Sequence, residues 1–326
     1  MTSQLSVAEL CTGGGGQALG LERAGFTPVL LAEIDPDCCE TLRRNRPCWP
    51  VLEGDITRMP ARSLAGTDLV AGGVPCTPHT RGGRQLGAAD ERHLWDAALS
   101  VIADVRPRAV MLETSNAIMS ARFDGERRKT AGALADLGYR FRWDVVDVSH
   151  HGVPQRRRRA VLVALAGRDD GALPWPLPSP GPPLTVGDTL LPLAAAGDWE
   201  GASAWAAGAQ DLAPTVTGGS RKHGGADLGA SQGKAAWRKL GIDPMGIADG
   251  PPGPDGKYPR GRGLTGDAGR TGLMLTAPMA AALQGFPPDW EFSGGKTSQY
   301  RQIGNAFCPP AAEAAGRCIR VALESG

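Results

Sequence analysis

The cysteine in "DLVAGGVPCTPHT" stands in a segment that suits a positioned side chain. Cys76 lies between Pro75 and Pro78, after an apolar run and two glycines that predict the end of a buried strand. Ligands of open α/β sheets bind at the carboxyl ends of the strands. Most cysteines are small buried hydrophobes, and a thiol becomes a nucleophile only where its surroundings favour the thiolate. The rigid prolines and the glycines favour a nucleophile over a core residue.

A carboxylate and two arginines accompany this cysteine at other predicted strand ends. Glu113 ends the apolar run "RAVMLE", where it is either a surface glutamate or a group for acid–base work and hydrogen bonding to a heteroaromatic ring. In "GVPQRRRRAVLVAL", Gln155, Arg157 and Arg159 fall on one side of an extended segment because side chains alternate there. Such a run is either a solvated face or a set of inward arginines that hold a carboxylate or a base carbonyl.

The N-terminal segment "VAELCTGGGGQALG" has a glycine pattern that is typical of nucleoside-cofactor sites. Gly13, Gly15 and Ala18 match G-x-G-x-x-G/A between a predicted strand and a predicted helix, and Glu33 follows about 20 residues later. We therefore expect an adenosine-type cofactor rather than a bare glycine turn, although this spacing does not separate NAD from S-adenosylmethionine. Asp55, in "EGDIT", either accepts a hydrogen bond from an adenine amino group or caps a helix.

The order of the predicted elements indicates an α/β protein. Short apolar strands alternate with helical patterns through the first half, as in the strand "TPVLLAEI" and the helix "DPDCCETLRRN" that follows it. This alternation predicts a parallel sheet with helices on both faces. Near residue 168 the chain becomes rich in Gly, Pro and Ala, and order returns near residue 272. We predict an α/β body formed by residues 1–168 and 272–326, and a smaller loop-rich lobe formed by residues 169–271.

The composition predicts a reduced, cytoplasmic protein. The 35 Lys and Arg nearly balance the 34 Asp and Glu, so the net charge of +1 does not by itself indicate a nucleic-acid partner, although basic clusters such as "QRRRR" and "SRK" occur. The seven cysteines show no C-x-x-C spacing, which argues against a zinc site or a disulfide framework. Neither a signal peptide nor an apolar run of about 20 residues is visible, and no membrane partner is expected.

Taken in order, these motifs resemble the bacterial type of the DNA (cytosine-5)-methyltransferase family. The glycine motif, the Pro-Cys loop and Glu113 correspond to three of the family's blocks, and "GVPQRRRR" corresponds to its Gln-x-Arg-x-Arg element. "ALQGFPPDWEF" and "QIGNAFCPP" are similar to its two C-terminal blocks. The segment 169–271 lies where the family has its target recognition domain. Several independent motifs in the family's order are far more specific than any one of them.

The resemblance implies a Rossmann-like methyltransferase fold and methylation of C5 of a flipped-out cytosine in duplex DNA. It makes Cys76 the group that adds to C6, Glu113 the residue that holds N3 and the exocyclic amine, and Arg159 the residue on the O2 side, with Arg157 in the same catalytic set. It makes S-adenosylmethionine the cofactor, S-adenosylhomocysteine the product, and requires no metal. The implied cofactor-binding residues are Cys11, Gly13, Gly15, Gly16, Glu33, Ile34, Asp55, Ile56 and Asn305.

The residues expected around the base and the DNA depart from the family in places. The family usually follows Pro-Cys with a Gln or Pro and ends that block in Phe-Ser, whereas this chain has Thr-Pro-His-Thr; Glu-Asn-Val becomes Glu-Thr-Ser. These changes predict a more polar pocket that accepts a modified base or a bulkier sulfonium donor, or that turns over slowly. The expected substrate-binding residues are Thr77, His79, Thr80, Thr114, Ser115, Gln155, Arg221 and Lys222, of which the last two contact guanine edges or phosphates unless they are solvated loop residues.

Three other function classes remain open from the sequence. A non-catalytic DNA-binding homologue fits the altered pocket, and a tRNA cytosine methyltransferase fits one branch of the family. An NAD-linked dehydrogenase fits the glycine loop but explains neither Cys76 nor "QIGNAF". The leading expectation is a monomeric enzyme that acts on double-stranded DNA, associates with the nucleoid through that DNA and works beside a cognate restriction endonuclease.

Overall fold

The computed structural model describes most of the chain as two compact units. The described residues are 4–59, 61–75, 92–167, 173, 175–179, 181–218, 228–258, 262–263, 265–266 and 270–325. The first unit comprises Met1–Val146, Arg158–Leu177 and Ala311–Gly326, and the second comprises Asp147–Arg157 and Pro178–Pro310. Residues 272–310 therefore belong to the second compact unit. The functional division that the sequence suggests, with boundaries at 168/169 and 271/272, stays a prediction.

The first unit is built on a seven-stranded sheet, which confirms the α/β prediction. Its strands are β1 (Leu5–Leu10), β2 (Phe26–Glu33), β3 (Val51–Glu53), β4 (Leu69–Gly73), β5 (Ala109–Ser115), β6 (Tyr139–Asp147) and β7 (Arg158–Ala166). They lie in the order β3-β2-β1-β4-β5-β7-β6. Strands β1 to β5 pair in parallel, whereas β7 runs antiparallel to β5, so the sheet is mixed rather than wholly parallel.

Among the described residues, five helices belong to the same unit as this sheet. They are α1 (Gly16–Arg23), α2 (Pro36–Asn45), α3 (Arg92–Val105), α4 (Asp124–Asp136) and α10 (Pro309–Ser325). Asp35 starts α2, because its side chain accepts a hydrogen bond from the Asp37 N–H and Pro36 suits the first helical turn. Helix α3 buries Ala98 and Ile102 in the same apolar cluster as β1, β4 and β5. This burial places one face of the sheet against α3, and it leaves the strand ends for chemistry.

The second unit contains short helices, and α5 to α7 lie in the stretch that is rich in Gly, Pro and Ala. They are α5 (Val186–Ala194), α6 (Ala202–Gly208), α7 (Ser231–Lys239), α8 (Ala277–Leu283) and α9 (Lys296–Asn305). Two-residue strands also pair here, Lys257–Tyr258 with Arg262–Gly263 and Thr265–Gly266 with Arg270–Thr271. Thr185 and Thr276 cap α5 and α8 through side-chain oxygens. In the described part of the chain, no helix is long and apolar enough to cross a membrane.

Candidate active site

The carboxyl ends of β4 and β5 bring the approach to Cys76 beside a buried carboxylate. Gly73, the last residue of β4, pairs in register with Glu113 of β5. A Cβ atom on Gly73 would lie 3.7 Å from Glu113 Oε2 and 3.5 Å from the Cys11 carbonyl oxygen. A side chain at position 73 would therefore contact the carboxylate, and a glycine avoids that contact. The chain continues through Val74 and Pro75 to the residues that follow, and Cys76, Thr77, His79 and Thr80 lie outside the described residues.

Glu113 forms a largely buried ion pair with Arg159. The Arg159 Nε donates to Glu113 Oε1 over 3.0 Å, and the two side chains are 21% and 7% exposed. Arg159 pairs in register with Ser115, so Glu113 and Arg159 are diagonal neighbours on one face of the sheet. The antiparallel course of β7 is what brings this arginine back to the end of β5. The structure thus unites two of the predicted catalytic residues.

The two residues after Glu113 point in different directions. Thr114 pairs with Ala160, which packs with Ile118 on the opposite face of the sheet. The Thr114 hydroxyl is buried and has no hydrogen-bond partner among the described residues. The side chain of Ser115 accepts a hydrogen bond from the Ala117 N–H over 3.3 Å and so caps the following turn. Because strand side chains alternate, the structure does not bring Thr114 to the Glu113 face, contrary to its expected contact with the base.

The glycine loop is tied to the second strand through Glu33. Its Oε2 accepts a hydrogen bond from the Gly13 N–H over 2.7 Å, and its Oε1 accepts from the Ile34 and Asp35 N–H groups over 2.8 Å each. Gly13 and Gly15 have φ angles of 59° and 88°, and Gly15 is the N-cap residue of α1. These left-handed conformations favour glycine. A Cβ atom on Gly13 would meet nothing within 4 Å, so open space lies over the loop.

Carboxylates surround the thiol at the start of this loop. Burial and the negative charges of Glu33, Asp55 and Glu9 raise the pKa of the Cys11 thiol to about 12. Cys11 therefore stays a neutral thiol at neutral pH and is a poor nucleophile. Its φ angle of 53° is unusual for a residue with a side chain. The end of β1 is held in a strained conformation, as is common at functional sites.

Two buried polar residues near the loop were not singled out from the sequence. Glu9 is fully buried, both carboxyl oxygens lack a hydrogen-bond partner among the described residues, and burial followed by the charge of Glu33 raises its pKa well above the usual value. Gln17, in the first turn of α1, is 3% exposed and equally unpartnered. The signal for both was a polar residue inside an otherwise apolar or small-residue run.

The remaining predicted cofactor residues of the first unit differ in exposure. Asp55 caps the short turn Ile56–Arg58, and hydrogen bonds from Thr57 hold the pKa of its carboxyl below the usual value. Its capping role is thus shown, and its contact with adenine stays a prediction. Ile34 is 65% exposed, whereas Ile56 is buried.

Gln155 and Arg157 lie in the second unit, in a buried polar network. The Arg157 guanidinium donates to the carbonyl oxygens of Val216, Gly304 and Ala306 over 2.8–2.9 Å. Gln155 donates to the Gln284 side chain over 3.0 Å and accepts from the Val216 N–H over 2.9 Å. The fully buried Arg157 therefore engages main-chain carbonyls rather than the carboxylate or base carbonyl expected from the sequence. Gln284, which completes the network, was missed because its partners lie far away along the chain.

Asn305 ends α9 in the second unit and is exposed. Arg221 and Lys222 lie outside the described residues. Among the residues that the structure does describe, no group of three or more His, Cys, Asp or Glu side chains could hold a metal ion.

The family model described as "C-5 cytosine-specific DNA methylase" matches residues 5–177 and 266–320, and the chain belongs to that family. The chain is 48% identical to the Type II methyltransferase M.NaeI of Lentzea aerocolonigenes, over 98% of this chain and 75% of that protein. It is 40% identical to the Type II methyltransferase M.NgoMIV of Neisseria gonorrhoeae, over 98% and 99%. The Dnmt2 methyltransferase of S. pombe has a similar fold, with a TM-score of 0.64 and 17% identity over 98% of this chain and 99% of that one.

The family assignment defines the general activity. The chain is a DNA (cytosine-5)-methyltransferase that uses S-adenosylmethionine to methylate cytosine in DNA. The residues of the glycine loop fit this cofactor. The space over Gly13 admits a ligand, the Glu33 and Asp55 carboxylates can accept hydrogen bonds from hydroxyl and amino groups, and Ile34 offers an apolar surface.

Proposed function

We propose that this chain methylates C5 of a flipped-out cytosine in duplex DNA through a covalent bond between Cys76 Sγ and C6. The observation that carries the proposal is the buried Glu113–Arg159 pair, which lies at the strand ends beside the approach to Cys76. A carboxylate and a guanidinium side by side present one acceptor and several donors to a flat heteroaromatic ring.

Cys76 would convert an unreactive ring into a nucleophile. The Sγ–C6 bond forms, and the C5–C6 π electrons move to C5, which then attacks the methyl group. S-adenosylmethionine supplies that methyl group as an electrophile when it is bound. Loss of the C5 proton to a base and cleavage of the Sγ–C6 bond restore the aromatic ring and release the thiolate. The neutral Cys11 thiol is no competitor for this role, since its pKa is about 12.

Glu113 and Arg159 would hold the base during these steps. One oxygen of the Glu113 carboxyl group accepts a hydrogen bond from the exocyclic amine, and the other shares a proton with N3. Arg159 donates toward O2, where negative charge develops when C6 is attacked. Ser115 lies on the same face of the sheet as Glu113, and Gln155 belongs to the Gln-x-Arg-x-Arg element that contains Arg159. Both keep their proposed substrate-binding roles. We assign Arg157 a positioning role, because its guanidinium holds main-chain carbonyls.

The cofactor would lie along the glycine loop. Gly13, Gly15 and Gly16 allow close approach of the main chain to the ligand, and the remaining contacts follow the family pattern. They are Cys11, Glu33, Ile34, Asp55, Ile56 and Asn305. The target base has to leave the helix to reach this site, at a cost of about a few kcal/mol in lost pairing and stacking.

The relatives support the proposed DNA partner and the proposed cellular role. M.NaeI and M.NgoMIV are Type II methyltransferases, and we propose that this chain likewise modifies a specific site in a restriction–modification pair. Arg221 and Lys222 would contact guanine edges or phosphates from the segment between the two parts that the family model matches. We propose a cytoplasmic monomer that binds duplex DNA, without a metal.

A second candidate is altered chemistry, with a bulkier sulfonium donor or a modified base. The polar residues Thr77, His79 and Thr80 favour it, and so does the loss of the usual Glu-Asn-Val block. The observed orientation of Thr114 weakens it, because one of the changed side chains faces away from Glu113. One experiment can separate these two candidates from each other and from a non-catalytic homologue.

That experiment is mass spectrometry of nucleosides from duplex DNA treated with the purified chain and S-adenosylmethionine. We expect 5-methyldeoxycytidine, and we expect tRNA in the same tube to stay unmodified. A deoxycytidine product heavier than 5-methyldeoxycytidine, formed when a bulkier sulfonium donor is added, would support altered chemistry instead. The absence of any modified nucleoside, or methylation of the tRNA alone, would contradict the proposal.

A further inference from the structure

A close main-chain contact joins two segments of the second unit. A Cβ atom on Gly304 would lie 2.2 Å from the Gly218 nitrogen, and a Cβ atom on Gly218 would lie 2.5 Å from the Arg301 carbonyl oxygen. Real Cβ atoms do not approach other atoms so closely. The last turn of α9 and the segment Thr217–Gly218 therefore touch at a point where both residues must lack a side chain.

Asn305 lies directly on this contact. Its Oδ1 and Cγ would be 2.4 Å and 2.8 Å from a Cβ atom on Gly218. Gly218 thus provides the surface against which the Asn305 side chain rests. Although Asn305 is exposed, this surface limits the rotamers that its carboxamide can adopt.

Buried hydrogen bonds hold the two segments in place. Arg157 donates to Val216 on one side of the contact and to Gly304 and Ala306 on the other, over 2.8–2.9 Å. Gln155 accepts from the Val216 N–H over 2.9 Å. A fully buried arginine with these partners is costly to move, because its charge would be left without compensation. The contact is therefore rigid.

We infer that Gly218 is a positioning residue through which the segment entering the recognition region sets the orientation of Asn305. The cofactor role of Asn305 belongs to the proposed function, on which this inference rests. The contact makes the segment 216–218 and the proposed cofactor amide of Asn305 parts of one rigid piece. A substitution at Gly218 should therefore weaken cofactor binding through Asn305 and not through a direct contact with the cofactor.

The test uses Gly218→Ala, Asn305→Ala, the double variant and Gly208→Ala as a matched control. Gly208 ends α6 in the same unit, and a Cβ atom there meets nothing within 4 Å. Calorimetry should show S-adenosylmethionine bound at least about tenfold more weakly by Gly218→Ala, because the added methyl group displaces the Asn305 carboxamide. The KM for the cofactor should rise by a similar factor and more than kcat falls, and Gly208→Ala should match the wild type.

Two outcomes decide the inference. In the double variant, the weakening should not exceed that of Asn305→Ala alone, and the Tm lost in Gly218→Ala should be partly recovered, because the contact with Oδ1 is gone. Equal cofactor affinity in Gly218→Ala and Gly208→Ala, or additive losses with no recovery of Tm, would overturn it. Failure of the wild type to methylate DNA would instead sink the proposed function, since the Tm recovery does not depend on methyl transfer.

Discussion

Two arginine–carboxylate pairs of the same chemical kind lie in very different surroundings. The Arg159–Glu113 side chains are 21% and 7% exposed, whereas those of Arg156 and Asp211 are both 57% exposed. An exposed pair contributes little, because water already solvates both charges and salt screens them. A buried ion pair is by itself weak evidence for a stabilising role. The contrast in burial supports our proposal that Glu113 and Arg159 act on the base.

We predict that Glu113→Gln lowers kcat for methyl transfer by at least about 100-fold, since the amide no longer supplies an anionic acceptor for the cytosine amine. The measurement is transfer of labelled methyl groups to duplex DNA at saturating cofactor. Asp211→Asn is the matched control, and it should keep kcat and unfold within about 1 kcal/mol of the wild type. Equal losses of activity in the two variants would contradict the assignment.

At the scale of elements, one aspartate ties three strands together at the end of the sheet opposite the candidate site. Asp68 precedes β4, and its carboxylate accepts hydrogen bonds from the Ser6 N–H and hydroxyl over 2.9 Å each and from Arg108 over 3.1 Å. Burial alone raises the pKa of Asp68, but these hydrogen bonds and the Arg108 charge outweigh it and hold the pKa below its usual value. The carboxylate form therefore stabilises the fold.

We predict that Asp68→Asn lowers the free energy of unfolding at pH 7 by about 1–3 kcal/mol. The folded pKa lies below the unfolded one, so the contribution is complete above about pH 5 and is lost as the pH falls through the folded pKa. The two unfolding curves should therefore converge in acid. Denaturant titrations across this range measure the difference.

Asp96→Asn is the control for this titration. Asp96 pairs with Lys129, but the two side chains are 51% and 64% exposed. Its removal should change stability by less than about 1 kcal/mol at every pH. A gap between wild type and Asp68→Asn that stays constant down to pH 3 would show that the carboxylate charge is not responsible.

The elements of the sheet could be predicted because each depends on local pattern. The apolar runs of β1, β2, β4, β5 and β7 are bounded by glycines or polar residues, and "RHLWDAALSVIADV" predicted α3 with the bounds that the structure shows. The antiparallel course of β7 and the helix α6 could not be predicted in this way. Helix α6 is mostly Ala and Gly, and Trp205 anchors it by donating to the distant carbonyls of Leu240 and Gly241.

The residues of the candidate site likewise differ in whether local sequence pattern could predict them. Glu113, Arg159 and the glycine loop are at strand ends, and their spacing could be read in the sequence. The hydrogen-bond partners of the Gln155 and Arg157 side chains are 59 to 149 residues away, so no periodicity reveals them. The opposite orientation of Thr114 follows from the alternation of side chains along a strand and could be predicted from the sequence. The comparison with the family's Glu-Asn-Val block concerns residue type and carries no information about orientation.

At the scale of the whole molecule, the near-zero net charge makes DNA binding depend on local groups. The 35 basic and 34 acidic residues almost cancel, so long-range attraction to DNA is weak. Basic side chains that neutralise phosphates release counterions, and this release makes affinity depend on salt. Arg221 and Lys222 of the cluster "SRK" are the groups expected to do so, because Arg157 and Arg159 of "RRRR" are engaged with main-chain carbonyls and with Glu113.

We predict that the affinity for duplex DNA falls at least about tenfold between about 50 and 200 mM salt, which corresponds to a few phosphate contacts. Arg221→Gln should reduce the slope of log affinity against log salt by about one if Arg221 meets a phosphate, and should relax site choice if it meets a guanine. Lys129→Gln removes one charge from α4 and serves as the control. A salt-independent affinity would contradict the proposed contacts.

Covalent trapping by DNA in which 5-fluorocytosine replaces cytosine tests the central claim most directly. In the normal reaction a base removes the C5 proton before the Sγ–C6 bond breaks. A base cannot remove fluorine from C5 in this way, so the Sγ–C6 bond should persist after denaturation. The trapping reaction should require S-adenosylmethionine. We predict that peptide mapping places the adduct on Cys76 and that Cys76→Ser forms none. An adduct on another residue, or turnover by Cys76→Ser equal to that of the wild type, would contradict the account.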